Sequence, residues 1–129
     1  MSGITLAFGD GEYNFFLPWA ACAEIERKSG NTPIMQIYAR VASGQASTSD
    51  IVETIRQGLM GGSGGIADGQ SVDMKPHVAN ALVERYVTGS DRRPILENWK
   101  VAEAVLAAAL VGYEPAQEAG GSKKKTAKA

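Results

Sequence analysis

The pattern of apolar and polar residues divides the chain into a short strand-forming start and a longer helical remainder. Residues 4–8 and 12–17 are rich in residues that favour strands, and Gly9-Asp10-Gly11 lies between them. Two such segments joined by a short Gly/Asp loop predict an antiparallel hairpin. Because a two-stranded hairpin is barely stable alone in water, we expect it to pack on helices.

Beyond the hairpin, apolar residues recur every three or four positions, which predicts amphipathic helices. Five helices are predicted, at about residues 18–29, 33–43, 50–60, 76–88 and 94–111. Proline begins four of them, and the hydroxyl-rich segment 47–50 is suited to cap the third. The residues expected to face inward are Leu17, Ala21, Cys22 and Ile25 in the first helix; Ile34, Ile37, Tyr38 and Val41 in the second; Ile51, Ile55 and Leu59 in the third; Val78, Leu82 and Tyr86 in the fourth; and Leu96, Trp99, Ala102, Leu106 and Leu110 in the fifth.

Glycine marks two further features. Gly58 lies inside the third helix, where it costs about 1 kcal/mol relative to alanine, so close packing against a neighbour is expected there. Residues 61–71 are rich in glycine and are expected to form a mobile loop.

Residues 114–129 have a composition typical of a disordered, lysine-rich tail. The expected fold is therefore a single α+β domain over residues 1–113, mainly helical, with an N-terminal β-hairpin.

Composition and charge argue against several classes of function. With 129 residues, 44% of them hydrophobic, the chain is long enough for one modest core. The net charge of −1 includes four lysines beyond Tyr113, so residues 1–113 are acidic and lack the cationic face that nucleic-acid binding requires. The longest apolar run, residues 104–111, is too short to span a membrane. We expect a cytoplasmic protein that binds neither nucleic acid nor membrane.

The residues that could carry chemistry do not form a recognisable catalytic or metal-binding set. Cys22 lies among alanines, as a small core residue does, and His77 is the one histidine of the chain. Residues 62–67 match Gly-x-Gly-x-x-Ala, but a helix rather than a strand is predicted before them, so a dinucleotide site is not indicated. We expect no enzyme activity, no metal and no cofactor.

A helix-turn-helix that binds DNA is a further hypothesis for the second and third predicted helices. The third helix offers two side chains suited to reading bases, Arg56 and Gln57. Acidic Asp50 and Glu53 lie in its first turns, where they would repel phosphates. A helical DNA-binding regulator is therefore the third choice among the functions considered.

Several segments, in order along residues 4–112, resemble the small tail proteins of gene transfer agents and tailed phages of alphaproteobacteria, in the tail assembly chaperone family. The most specific of them is residues 50–59, an Asp-Ile…Ile-Arg-x-Gly-Leu element followed by a glycine run. The departures from the family are a longer glycine run and Cys22 in place of an expected leucine. The other segments are the hairpin around Gly9-Asp10-Gly11, LPWAACAEIE at 17–26, LVERYV at 82–87 and the alanine-rich 102–112.

This resemblance implies a non-enzymatic chaperone that binds the tape measure protein in the bacterial cytoplasm while the tail is built. Expected partners are the tape measure protein, the tail tube protein and further copies of the chain itself. The alternative is a structural tail component, a tube or terminator subunit that stays in the particle. Tube subunits usually need a larger sheet than two strands, which favours the chaperone. The candidate partner-binding residues are Leu59, Met60, Trp99, Leu106 and Leu110.

Overall fold

Five helices and four strands make up residues 3–112, the part of the chain that the computed structural model describes. The α+β fold class, the dominance of helix and the N-terminal hairpin are confirmed. The predicted tail at residues 114–129 lies outside the described residues. In chain order the elements are β1 Ile4–Phe8, β2 Gly11–Phe15, α1 Trp19–Lys28, α2 Ile34–Ser43, α3 Thr48–Gly61, β3 Gly64–Ala67, β4 Gln70–Val72, α4 Pro76–Tyr86 and α5 Ile95–Val111.

The strands form one antiparallel sheet in the order β1-β2-β3-β4, so the prediction of a loop over residues 61–71 is wrong. Asp68 and Gly69 join β3 to β4, with φ angles of 53° and 76°. A two-residue hairpin turn of this kind requires positive φ at both positions, which Asp-Gly supplies. Gly65 pairs with Tyr13 of β2, and a Cβ atom there would lie 2.2 Å from the Glu12 carbonyl oxygen. The glycines therefore allow β3 to approach β2 instead of forming a loop.

The hydrophobic core lies between one face of the sheet and the helices. Phe8, Tyr13 and Phe15 alternate with exposed or half-buried residues along β1 and β2 and point toward the helices. The ring of Phe8 contacts Phe15 and Tyr86 edge to face, with centroid distances of 5.9 and 6.3 Å. Such aromatic pairs stabilise the core beyond the area that they bury. The sheet is thus held by α3, α4 and α5 on one side.

The predicted inner faces of the first three helices agree with the structure. Ala21 and Ile25 of α1, Ile37 and Val41 of α2, and the whole predicted stripe of α3 are buried, with Cys22, Ile34 and Tyr38 half-buried. Ser47 caps α3: its Oγ accepts a hydrogen bond from the Asp50 amide at 3.2 Å, and Asp50 Oδ2 accepts one from the Ser47 amide at 3.3 Å. This reciprocal capping box satisfies donors that a helix start leaves free. The predicted cap is confirmed.

The predicted inner faces of the last two helices are partly wrong. In α4 Tyr86 is buried and Leu82 is half-buried against the core, as predicted, but Ala79 and Val83 are the other buried residues and Val78 does not pack into the core. In α5 Leu96 is 64% exposed, while Asn98, Ala102, Val105 and Leu106 are buried. Asn98 faces inward because its Nδ2 donates to the Tyr86 carbonyl oxygen at 3.2 Å, at the end of α4. The buried side of α5 therefore combines this hydrogen bond with the apolar residues Ala102, Val105 and Leu106.

Candidate functional site

The five candidate partner-binding residues occupy different environments. Leu59 and Leu106 are fully buried, so their side chains contact other parts of the same chain. Met60 and Trp99 are half-buried against the core, and Leu110 is partly exposed near the end of α5. Trp99 Nε1 donates to the Val41 carbonyl oxygen at 3.0 Å, which fixes the indole between α2 and α5. That these residues bind a partner stays a prediction, and three of them retain accessible surface for it.

The two candidate chemical residues are placed without an activating environment. Burial and the nearby Glu26 carboxylate raise the pKa of the Cys22 thiol, which favours the unreactive protonated form. His77 is exposed in the first turn of α4. Within residues 3–112 no group of three or more His, Cys, Asp or Glu side chains is placed to hold a metal ion. Across the same range, none of the helices has the length and apolar character needed to cross a bilayer.

The two side chains that the DNA-binding hypothesis depends on are engaged within their own helix. Arg56 Nη1 lies 2.5 Å from Glu53 Oε1, and Gln57 Nε2 donates to Glu53 Oε2 at 2.7 Å. Glu53 itself is 5% exposed and also lies near Lys28, 3.8 Å away. Charged hydrogen bonds to a buried carboxylate are strong, so these side chains are held toward the protein. Their contacts give the DNA-binding hypothesis no support.

An apolar groove lies at the C-terminal end of α5, where that helix lies near one side of α1 and the beginning of α2. We name it the carboxyl-end groove; it measures about 210 Å³, and its lining includes Trp19, Cys22, Glu26, Ile34, Ala109 and Leu110. Trp19 is 90% exposed because it is the first residue of α1, whose buried side carries Ala21 and Ile25. Val111, at the end of α5, is 89% exposed. A large aromatic side chain therefore projects into solvent beside an open groove.

A second apolar groove lies at the opposite end of α5, against the beginning of α3 and the connection from α4. We name it the amino-end groove; it measures about 170 Å³, and its lining includes Ile51, Val52, Val87, Arg92, Ile95 and Trp99. Ile95 and the adjacent Leu96 are more than half exposed. Arg92 is the one charged side chain among the described residues that line it. Trp99 of the predicted site thus belongs to this groove, and Leu110 belongs to the other.

The face of the sheet turned away from the helices forms a third, more polar surface. Thr5, Glu12, Asn14 and Ile66 line a shallow depression there, and Ile66 is 58% exposed. Asn14 Oδ1 accepts a hydrogen bond from the Ser63 amide at 3.0 Å, which ties β2 to the start of β3. The described residues leave this face uncovered. It is an accessible surface with mixed polar and apolar character.

Large apolar side chains are exposed near both ends of α5, where they are accessible to other proteins. Trp19 and Val111 lie at one end of α5, and Ile95 and Leu96 lie at the other. Sequence periodicity missed Trp19, Ile95 and Val111 and assigned Leu96 to the interior. Trp19 and Ile95 each directly follow a proline at the first residue of a helix, but Ile34 does so as well and is half-buried, so this position alone does not identify them.

We compared the chain with known protein families, and one family matches it. The chain matches the family described as phage tail tube protein, GTA-gp10, over residues 2–112. No curated protein and no solved structure matches the chain. This family match supports the prediction that the chain is a phage or gene-transfer-agent tail protein. The prediction of a tail assembly chaperone is wrong, because the match is to a tube protein family, and it agrees with the structural alternative instead.

Proposed function

We infer the function of this chain from its family: the chain belongs to the phage tail tube protein family described as GTA-gp10. We propose that it is a structural subunit of the tail, one of many copies that form the tube and stay in the particle. The family match over residues 2–112 is the observation that carries this proposal. No catalytic step is part of it, since a tube subunit acts through its contacts.

Three features of the structure support a structural role. The sheet has four strands rather than the two that the sequence indicated, so the objection that the sheet is too small for a tube subunit is weaker. Its outer strands, β1 and β4, each have one side unpaired among the described residues. The exposed apolar side chains at both ends of α5 supply contact surfaces for neighbouring subunits.

The partners follow from the same proposal. They are other tail proteins, first of all further copies of this chain, and contact with the tape measure protein is expected where that protein runs along the tube. Assembly takes place in the cytoplasm of the bacterial host, before the particle is released. These contacts depend on apolar area and shape, so no cofactor is needed for them.

Gold-labelled antibodies against the purified protein, applied to purified particles and imaged by electron microscopy, test the proposal. A tube subunit predicts gold along the whole length of the tail once the tail surface is made accessible by mild denaturation. A terminator subunit predicts gold at one end of the tail. Particles that remain unlabelled, while the protein is detected in the lysate, would contradict the structural role. Particles lacking tails, treated in parallel, control for antibody bound elsewhere.

A further inference from the structure

We infer that copies of this chain associate head to tail, with Trp19 at the carboxyl-end groove of one copy packed into the amino-end groove of the next. The inference deepens the proposed function and rests on it, because it identifies the surfaces through which tube subunits join. It depends on three properties of the two grooves: their separation, their fit and their charge.

The separation of the grooves allows contacts to repeat from copy to copy. Ile95 lines one groove and Leu110 the other, and a helix rises 1.5 Å per residue, so the two positions are about 22 Å apart along α5. A contact between two different surfaces of the same protein is heterologous and leaves one of each surface free on every pair. Such contacts generate rings or filaments, whereas a contact between identical surfaces ends at a dimer.

The size of the amino-end groove suits the side chain that projects from the other surface. Trp19 projects into solvent, with 90% of its surface exposed, and the amino-end groove is an open apolar groove of about 170 Å³. An apolar cavity of roughly 150 Å³ is enough to bind a benzene ring, so the amino-end groove can take much of an indole. Tryptophan is also among the residues that most often dominate binding at interfaces. Ile95, which lines the groove and is more than half exposed, would cover part of the remainder of the ring.

The charges of the grooves are also complementary. Glu26 is the one charged residue among the described residues that line the carboxyl-end groove. Arg92 is likewise the one charged residue among those that line the amino-end groove. Among residues 3–112, neither forms an ion pair: Glu26 Oε2 accepts the Ile34 amide at 2.8 Å, and Arg92 Nη1 donates to the Arg93 carbonyl oxygen at 3.4 Å. Contact between the grooves would bring the opposite charges together at the edge of an apolar interface, where they help to fix its orientation.

Two variants that each disable one surface test the inference. Trp19→Glu and Ile95→Glu place a charge in the carboxyl-end and amino-end surfaces, respectively. Both positions are the first residue of a helix, where the helix dipole favours an acidic side chain, and both side chains are more than half exposed. We therefore expect both variants to fold, which circular dichroism and the melting temperature check. Ile66→Lys, which removes an exposed apolar side chain from the sheet face opposite Glu12, is the control.

Sedimentation velocity over a range of concentrations measures the result. The unaltered protein and Ile66→Lys should form species larger than dimers, and each glutamate variant alone should remain monomeric. An equal mixture of the two glutamate variants should form dimers and stop there, because each variant retains the surface that the other lacks. The milder Trp19→Ala and Ile95→Ala should each weaken association about 30-fold or more, as loss of a dominant interface side chain does.

Three results would overturn the inference. The unaltered protein could stay monomeric at every concentration, which would mean that the two grooves do not join copies of this chain. Either glutamate variant could assemble like the unaltered protein, or the mixture could fail to form dimers. None of these results affects the gold-labelling test, which depends on where the protein lies in the particle, so failure of the inference and failure of the proposed function are separate outcomes.

Discussion

Replacing Gly58 with alanine tests whether direct contact between the α3 backbone and the core holds this helix on the sheet. A methyl group at this position would lie 3.0 Å from Cδ2 of Phe15 and 3.2 Å from Cγ1 of Val105. Both side chains are fully buried, and Phe15 also packs edge to face on Phe8. Neither can move away without disturbing further contacts. The glycine is therefore expected to be required by packing.

Two opposing effects set the magnitude. Alanine is favoured over glycine in a helix interior by about 1 kcal/mol. An added methyl group in a tightly packed core costs about 1–3 kcal/mol, and contacts well inside the usual separation of 3.5–4.0 Å between carbon atoms place Gly58→Ala in the upper half of that range. The difference predicts that Gly58→Ala lowers the free energy of unfolding by about 1–2 kcal/mol.

Urea unfolding followed by circular dichroism, on Gly58→Ala, Val105→Ala and the double variant, measures this free energy. Val105→Ala alone should cost about 2 kcal/mol or more, through lost burial and the cavity that it leaves. The double variant should lose less than the two single losses together, because the missing Cγ1 makes room for the new methyl group. A Gly58→Ala variant more stable than the unaltered protein, or strictly additive losses, would refute the packing argument.

Three further predictions concern single side chains. Thr54 is fully buried and its hydroxyl has no hydrogen-bond partner among the described residues, so Thr54→Val should raise the free energy of urea unfolding by about 1 kcal/mol, and a loss would contradict this. Thr54→Ser keeps the hydroxyl and should show no gain. Ser47→Ala removes the cap of α3 and should lower the same free energy by about 1 kcal/mol, whereas Ser47→Thr should keep most of it. Burial and Glu26 raise the pKa of Cys22, so its rate of alkylation by iodoacetamide should reach half of its maximum at a higher pH than that of a cysteine in an unstructured peptide measured in parallel, and a midpoint at or below that of the peptide would contradict the placement of the thiol.

The helices were predictable where the local sequence determines them. Prolines at the starts, Ser47 as a cap and apolar residues at helical spacing identified α1, α2 and α3 together with their inner faces. Gly58 was recognisable as a packing position because glycine is costly inside a helix. In these elements local preference and tertiary packing agree, so a single sequence is sufficient.

The remaining elements depend on contacts that the local sequence does not report. Asp68-Gly69 is a strong hairpin signal, but Gly64 and Gly65 beside it favour no strand on their own. They form β3 because β2, which lies before three helices in the chain, pairs with them. The inner face of α5 was misjudged because this helix has apolar residues on most sides, so periodicity cannot locate the side that Asn98 anchors.

The functional assignment was limited in a related way. The resemblance identified a tail protein, but no catalytic residue or metal ligand distinguishes a chaperone from a tube subunit, since both act through apolar surfaces. Of the five candidate residues, Trp99 and Leu110 lie in the two grooves, while Trp19, the most exposed large apolar side chain of either groove, was not among them. Exposure of a side chain depends on what the rest of the chain covers, and helical periodicity does not report it for the first residue of a helix.

The number of copies of this protein in each purified particle tests the structural role most directly. Peptides from the chain, quantified by mass spectrometry against isotope-labelled standards and compared with peptides of the capsid protein, give that number. A tube subunit predicts many copies per particle and loss of the protein from the particle fraction when tails are removed. A protein that is abundant in the lysate but absent from purified, tailed particles would contradict the account.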